Sequence, residues 1–181
     1  INKKINLSLN EVSYLLNPRD FSINISAKNP TILLEDKKLN LSNINTNILL
    51  KSLINGQFSI DNLKISTKEI QIKDLISLIR TVKKSPQLFV LENITKEGLI
   101  SANIDLVFDL NGEIKNDYQI NGALKKAKFN ILNKVEIENL DLSFDLSKNQ
   151  LTLKKIETDL NSVRLKSPLI KIEQKKNIFF I

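Results

Sequence analysis

Alternation with a recurring slip of one residue is the feature that most limits what this chain can fold into. In Val135–Leu146, VEIENLDLSFDL, apolar residues fall at Val135 and Ile137 and resume at Leu140, Leu142, Phe144 and Leu146. The polar pair Glu138 and Asn139 shifts the phase. The figure recurs at Leu7, Leu9, then Val12, Tyr14; at Leu39, Leu41, then Ile44, Thr46; at Phe58, Ile60, then Leu63, Ile65; and at Leu151, Leu153, then Ile156, Thr158. Period-2 alternation marks β-strands with one buried face. A one-residue slip is a two-residue hairpin or a β-bulge, in which an extra residue restores the original face and adds twist. Tight hairpins want Asn-Gly or Asp-Gly. Glu-Asn and Lys-Lys are poor substitutes, and a turn at Glu138 would leave only Val135–Ile137 between two turns. Bulges are the favoured reading, and repeated bulges make a sheet coil.

The clearest uninterrupted run is Ile100–Leu110, with Ile100, Ala102, Ile104, Leu106, Phe108 and Leu110 on one face. Ser101, Asn103, Asp105 and Asp109 share the other, and Val107 is the exception. Such a strand is about 36 Å long, roughly twice the usual length. Strands are also expected at Ile5–Leu9, Phe21–Ala27, Leu39–Leu50 and Phe58–Ile72, then from Tyr118 onward through Leu124, Phe129 and Ile131, at Leu151–Leu160, and at Val163–Ile172 with Pro168 at its own slip. Asn17–Asp20, Glu35–Lys38, Leu132–Lys134 and Ser147–Gln150 read as turns.

One segment departs from this. In KDLISLIRTVKKSP, Leu75, Ile76, Ile79 and Val82 recur at helical spacing, with Asp74 at the N-cap and Arg80, Lys83 and Lys84 near the C-terminus. Ser85-Pro86 ends that helix and starts a second, whose apolar face is Leu88, Phe89 and Leu91; Gly98 closes the insertion. The expected organisation is N-terminal strands over 1–72, a helical insertion over 73–97, and antiparallel strands of the same sheet over 98–181.

Chemistry is scarce. The chain has 181 residues and no Cys, His, Met or Trp. Without His or Cys there is no imidazole- or thiolate-based nucleophile or metal site. With only four Gly, no phosphate-cradling glycine loop exists. Asp105 and Asp109, or Asp141 and Asp145, share a strand face and could in principle form an acid pair; the plainer reading is the solvated side of an amphipathic strand. The expectation is a non-enzyme without cofactor or metal. The net charge of +7 comes from scattered lysines without interleaved aromatics, so nucleic acid is not an expected partner. Lysines on outward faces and edges discourage aggregation. The lack of Met and the start at Ile1 point to a piece of a longer protein.

What remains is the apolar face, which is either the core of a sandwich or the lining of an open groove. A groove needs no precise polar site, and each acyl CH₂ buried in one contributes roughly 0.8 kcal/mol.

The succession FSIDNLKIST, KEIQIKDLISLIRTVKK, GLISANIDLVFDLNG, DYQINGALKKAKFNI and VEIENLDLSFDLSKNQLTLKKIETDLNSVRLKSPLIKI resembles the repeating sheet of the AsmA-like family of Gram-negative envelope proteins, the group that includes TamB and YhdP. The resemblance runs from about residue 58 to 176; the preceding residues fit only as further strands. It implies a long, taco-shaped, mainly β groove related to bridge-like lipid-transfer proteins. It also implies a periplasmic location, an inner-membrane anchor outside this sequence, and movement of phospholipid between inner and outer membrane. An assembly scaffold that binds client strands at its sheet edges is the alternative, with outer-membrane assembly partners. The candidate groove lining for phospholipid acyl chains is Ile104, Leu106, Phe108, Ile120, Leu124, Phe129, Leu142, Phe144 and Leu153.

Overall fold

A computed structural model describes residues 5–34, 37–82, 86–132, 134–175 and 178–180. Nine long strands and two short ones form one open, antiparallel sheet that does not close into a barrel. They are β1 (Ile5–Asn17), β2 (Ser22–Leu34), β3 (Lys37–Leu49), β4 (Ile60–Thr67), β5 (Ile70–Gln71), β6 (Thr95–Val107), β7 (Gln119–Ile131), β8 (Val135–Ser147), β9 (Gln150–Leu160), β10 (Val163–Lys175) and β11 (Ile178–Phe180). Spatial order follows the chain, β1-β2-β3-β4-β6-β7-β8-β9-β10-β11, with β5 beside β6. The helices are α1 (Leu50–Ile54), α2 (Ile72–Val82) and α3 (Pro86–Ile94).

The slips are bulges, not turns. β8 runs unbroken through Asn139, which takes a left-handed φ of 50°. Glu11, Asn29, Lys126 and Lys155 do the same in β1, β2, β7 and β9, each one residue before the apolar series resumes. The ladder is also interrupted beside Ser42 in β3, around Gly98 in β6, and at Pro168 in β10, opposite Lys155. Neighbouring strands carry these interruptions side by side, so they form a transverse line across the sheet. The slip between Ile60 and Leu63 is a bulge too, at Asp61, but lies near the strand end and off this line. Because each extra residue restores the phase, both halves of every strand present apolar residues to the same face.

A bulge leaves backbone groups without ladder partners, and buried ones must find others. Side chains from the next strand supply them. The Lys126 amide donates to Asp141 Oδ1 at 2.7 Å, Thr158 Oγ1 donates to the Glu138 carbonyl at 3.0 Å, Asn10 Nδ2 donates to the Asn29 carbonyl at 3.1 Å, and Ser42 Oγ donates to the Ser66 carbonyl at 2.9 Å. Much of the deep apolar burial lies on the same line: Ala27 and Pro30 flank Asn29, Leu41 precedes Ser42, Ala127 follows Lys126, and Ile156 follows Lys155.

Several boundaries differ from the sequence expectation. The run from Ile100 begins earlier, at Thr95, and ends at Val107; Phe108 instead makes an isolated bridge to Ile114 and packs its ring on Phe58, centroids 5.5 Å apart. Gly98 lies inside β6 as a bulge rather than closing the insertion. LKSLI, which begins at the end of the expected strand Leu39–Leu50 and otherwise had no expected element, forms the short helix α1. Helix α2 starts at Ile72, which places Asp74 in its first turn, not at its cap. The expected roles of Glu35, Asp36, Lys83, Lys84 and Ser85, and the centre of the Leu132–Lys134 link, fall outside the described residues.

The line of bulges is a crease in the sheet, and substitutions at two positions test it. A Cβ on Gly98, whose φ is +130°, would meet the Ala127 Cα at 2.7 Å and Ile72 Cδ1 at 2.6 Å. Gly98→Ala is expected to cost about 2–4 kcal/mol in chemical denaturation, from overpacking plus backbone strain. Exposed Lys155 has a φ of 53°; Lys155→Gly is expected to gain about 0.5 kcal/mol and Lys155→Val to lose about 1–2 kcal/mol, because a β-branched residue tolerates that conformation worst.

Candidate apolar trough

A compact chain of this mass exposes about 8,900 Å². This one exposes 12424 Å². The excess has a simple source: among the described residues no second sheet packs on the first, so there is no sandwich core. Register carries the apolar face from strand to strand. Tyr14 lies opposite Ile25, Ile25 opposite Thr46, Thr46 opposite Leu63, and Leu63 opposite Leu106. Ile104 faces Ile120, Leu124 faces Leu142, Gly122 faces Phe144, Phe144 faces Leu153, and Leu153 faces Ile170.

All nine candidate lining residues lie on this face and are half-buried. The face is not equally open along its length. Ile72 and Ile76 of α2 are buried against Ala127, with Ile100, Leu124, Phe129 and Leu140 packed around them. The helical insertion thus sits on the apolar face, over the crease. It covers Leu124 and Phe129, which are packing residues as much as lining ones. Leu106, Ile120, Leu142, Phe144 and Leu153 lie outside that cluster. Sequence spacing identified Ile76 but not Ile72, which read as the end of a strand. It also gave α3 an apolar face of Leu88, Phe89 and Leu91, and no described residue of α3 is buried. The Phe89 ring instead carries the Arg80 guanidinium 4.9 Å above it, and Arg80 pairs with Glu92, bracing the two helices together.

Gly122 belongs to the trough although it contributes no apolar atoms. The Phe144 ring lies where a Gly122 side chain would project, with ring atoms 2.8 Å and 3.0 Å from the ideal Cβ position. A glycine opposite an aromatic was the available sequence signal.

The other face is polar and internally paired. Lys64 pairs with Asp105 at 3.2 Å and Lys154 with Asp145 at 2.7 Å. Lys128 pairs with Glu136 and Glu138, and Lys125 with Glu69. Asn24 and Asn45 exchange side-chain hydrogen bonds at 3.0 and 3.3 Å. The acid pairs read from sequence are all engaged in structure. Asp105 and Asp145 form these cross-strand pairs, and Asp141 caps the Lys126 bulge. Asp109 accepts the amides of Glu113 and Asn111, which hold its carboxyl below the ordinary carboxylate range. Glu157 is lowered as well, first by the hydrogen bond from Lys166 and then by that from Arg164. Lys128 is raised by the hydrogen bonds it donates to Glu138 and Glu136.

Two concave spaces in the sheet are lined mainly by polar residues. One of about 480 Å³ lies between the 116–119 and 147–150 segments; another of about 520 Å³ is lined by Ser101, Asn103, Asn121, Ser143, Asp145 and Lys154 among others. Among the described residues no cluster of three acidic side chains could hold a metal ion, and no helix is long and apolar enough to cross a membrane.

Comparison with known proteins gives no matching family model, no matching curated protein and no matching solved structure. The AsmA-like resemblance therefore rests on the order and pattern of the strands.

The carboxylate shifts set a pH dependence. A carboxyl whose pKa is lowered on folding contributes stability above its unfolded pKa, and that stability is lost as pH falls through the folded value. Glu157→Gln is expected to flatten the fall of Tm below the ordinary glutamate range and to leave the alkaline limb unchanged, as measured by thermal melts across pH.

Proposed function

We propose that the apolar face binds phospholipid acyl chains and serves as a segment of a lipid-conducting trough between the inner and outer membranes of a cell envelope. The observation that carries this reading is the apolar face left open on either side of α2: one sheet, continuous in register from β1 to β10, with far more exposed surface than a compact chain of its mass. An acyl chain is a natural cover for such a surface, because burying it requires no hydrogen-bond partner and is driven by area alone. Strands run across the trough and the crease runs along it. Nine long strands at about 4.8 Å spacing give a path of roughly 40 Å. Lipid would lie along the crease, with head groups toward the strand ends. The AsmA-like strand pattern supports the same reading and the periplasmic, membrane-anchored setting that goes with it. A scaffold that binds clients through its edges would leave the apolar face without a purpose.

Helix α2 gives the reading a specific shape. It occupies the crease in the middle of the path, so bound acyl chains would pass beside Ile72 and Ile76 or stop there.

The chain purified without detergent is expected to release phospholipid on organic extraction, detected by mass spectrometry. Leu142→Asp or Phe144→Asp should weaken binding of a fluorescent phospholipid about tenfold or more, given the loss of one large apolar contact. Circular dichroism would confirm that the fold is kept. Folded wild-type protein that carries no lipid and binds none would overturn the proposal.

A further inference from the structure

The polar face is recessed where β7 and β8 run together. The cleft of about 480 Å³ between the 116–119 and 147–150 segments has Glu173 of β10 beside it. A hollow of about 220 Å³ shares Gln119, Ser147 and Gln150 with that cleft. The hollow in turn shares Asn121 and Asp145 with the space of about 520 Å³ that reaches Ser101, Ser143 and Lys154. The three are therefore contiguous. They make one furrow that runs from the strand ends inward over β6, β7 and β8, on the face opposite the trough.

The lining has a definite chemistry. Gln119, Asn121, Asn149 and Gln150 carry amides, which both donate and accept, and Ser101 and Ser143 add hydroxyls. Asn103 Nδ2 donates to Asn121 Oδ1 at 3.2 Å, and Gln150 Nε2 to Thr152 Oγ1 at 2.9 Å. Ser101, Gln119 and Ser143 make no side-chain hydrogen bond among the described residues. The inner charges cancel, because Lys154 and Asp145 pair at 2.7 Å. In the outer cleft Glu173 pairs with Lys171 at 2.5 Å. The half-buried Tyr118 lines that cleft and supplies an aromatic surface.

These features narrow the ligand. A phosphate-bearing ligand needs unpaired cations, and the lysine inside the furrow is neutralised. An apolar ligand would strip water from the amides and leave them unpaired. A peptide strand recognises a sheet through main-chain groups at an edge. Along the furrow those groups are already spent in the ladders of β6 with β7 and β7 with β8. An uncharged polyol answers every group present: its hydroxyls donate and accept, and its ring C–H groups pack on an aromatic side chain. We propose that the furrow binds a neutral, linear oligosaccharide. Its length over three adjoining hollows suits a chain of sugars better than a single ring. The proposal does not depend on what occupies the apolar face.

NMR titration of the full, isotopically labelled chain tests it, with cellotetraose, chitotetraose, inorganic phosphate and tetraglycine as probes. At least one of the two tetrasaccharides is expected to move the side-chain amide signals of Gln119, Asn121 and Gln150, with a Kd of about 1 mM or tighter. Phosphate and tetraglycine should leave those signals in place. Ser143→Ile fills the inner part of the furrow and should weaken sugar binding about tenfold. Gln119→Ala removes one amide from an exposed position and should weaken it about fivefold. Circular dichroism would confirm that both variants keep the sheet. The proposal is overturned if neither tetrasaccharide moves those signals at concentrations well above that Kd. Equal binding of phosphate or tetraglycine at the same residues, or full-strength sugar binding by both folded variants, would overturn it as well.

Discussion

The structure depends on how backbone groups are satisfied where the ladders break. A row of bulges lets a wide sheet crease while holding its apolar side chains on one face, but each bulge exposes amides and carbonyls that the regular ladder would have paired. Asp141, Thr158, Asn10 and Ser42 meet that demand from the neighbouring strand. The polar face is thus more than a solvated surface. Some of its short side chains are structural parts, and this is one reason a chain with so few glycines can adopt repeated left-handed turns of backbone. Asn29 and Asn139 are the residues best suited to that conformation; Glu11, Lys126 and Lys155 take it at higher cost.

Packing follows from the same line. Most of the buried apolar side chains sit beside the bulges, where the crease brings neighbouring strands together, and not at the centre of a two-layer core. Gly98 marks a close approach, with the backbone of Ala127 on one side and Ile72 of the insertion on the other. The helix, the crease and the buried cluster are one unit, and the apolar surface on either side of it is what the proposed function uses.

Much of the strand pattern was legible in the sequence because alternation and a three-residue step are both written in side-chain polarity. The step at Glu138 and Asn139 could be read as a bulge since a turn there would have left too little strand. The helical insertion was legible from the spacing of Leu75, Ile76 and Ile79. Its position was not. Nothing in a period of 3.6 says which surface a helix will cover, so Leu124 and Phe129 read as open lining when they lie under Ile72 and Ile76. Helix α1 was missed because LKSLI continues an apolar rhythm and carries no capping side chain. The row of interruptions across eight strands is likewise a property of register, which single segments do not record.

The topology has a mechanical consequence. Each strand pairs only with its neighbours in the sheet, so the molecule behaves as a row of hinged panels joined edge to edge. Among the nine long strands the narrowest join is between β4 and β6, where only Asn62–Ser66 meet Asn103–Val107. Helix α2 touches β3 on one side of that join and β6 on the other. It works as a splice plate across the weakest seam. A pull along the trough would be resisted there by the grip of Ile72 and Ile76 as well as by the ladder, and loosening that grip would let the two halves of the sheet flex about a line where few hydrogen bonds hold them.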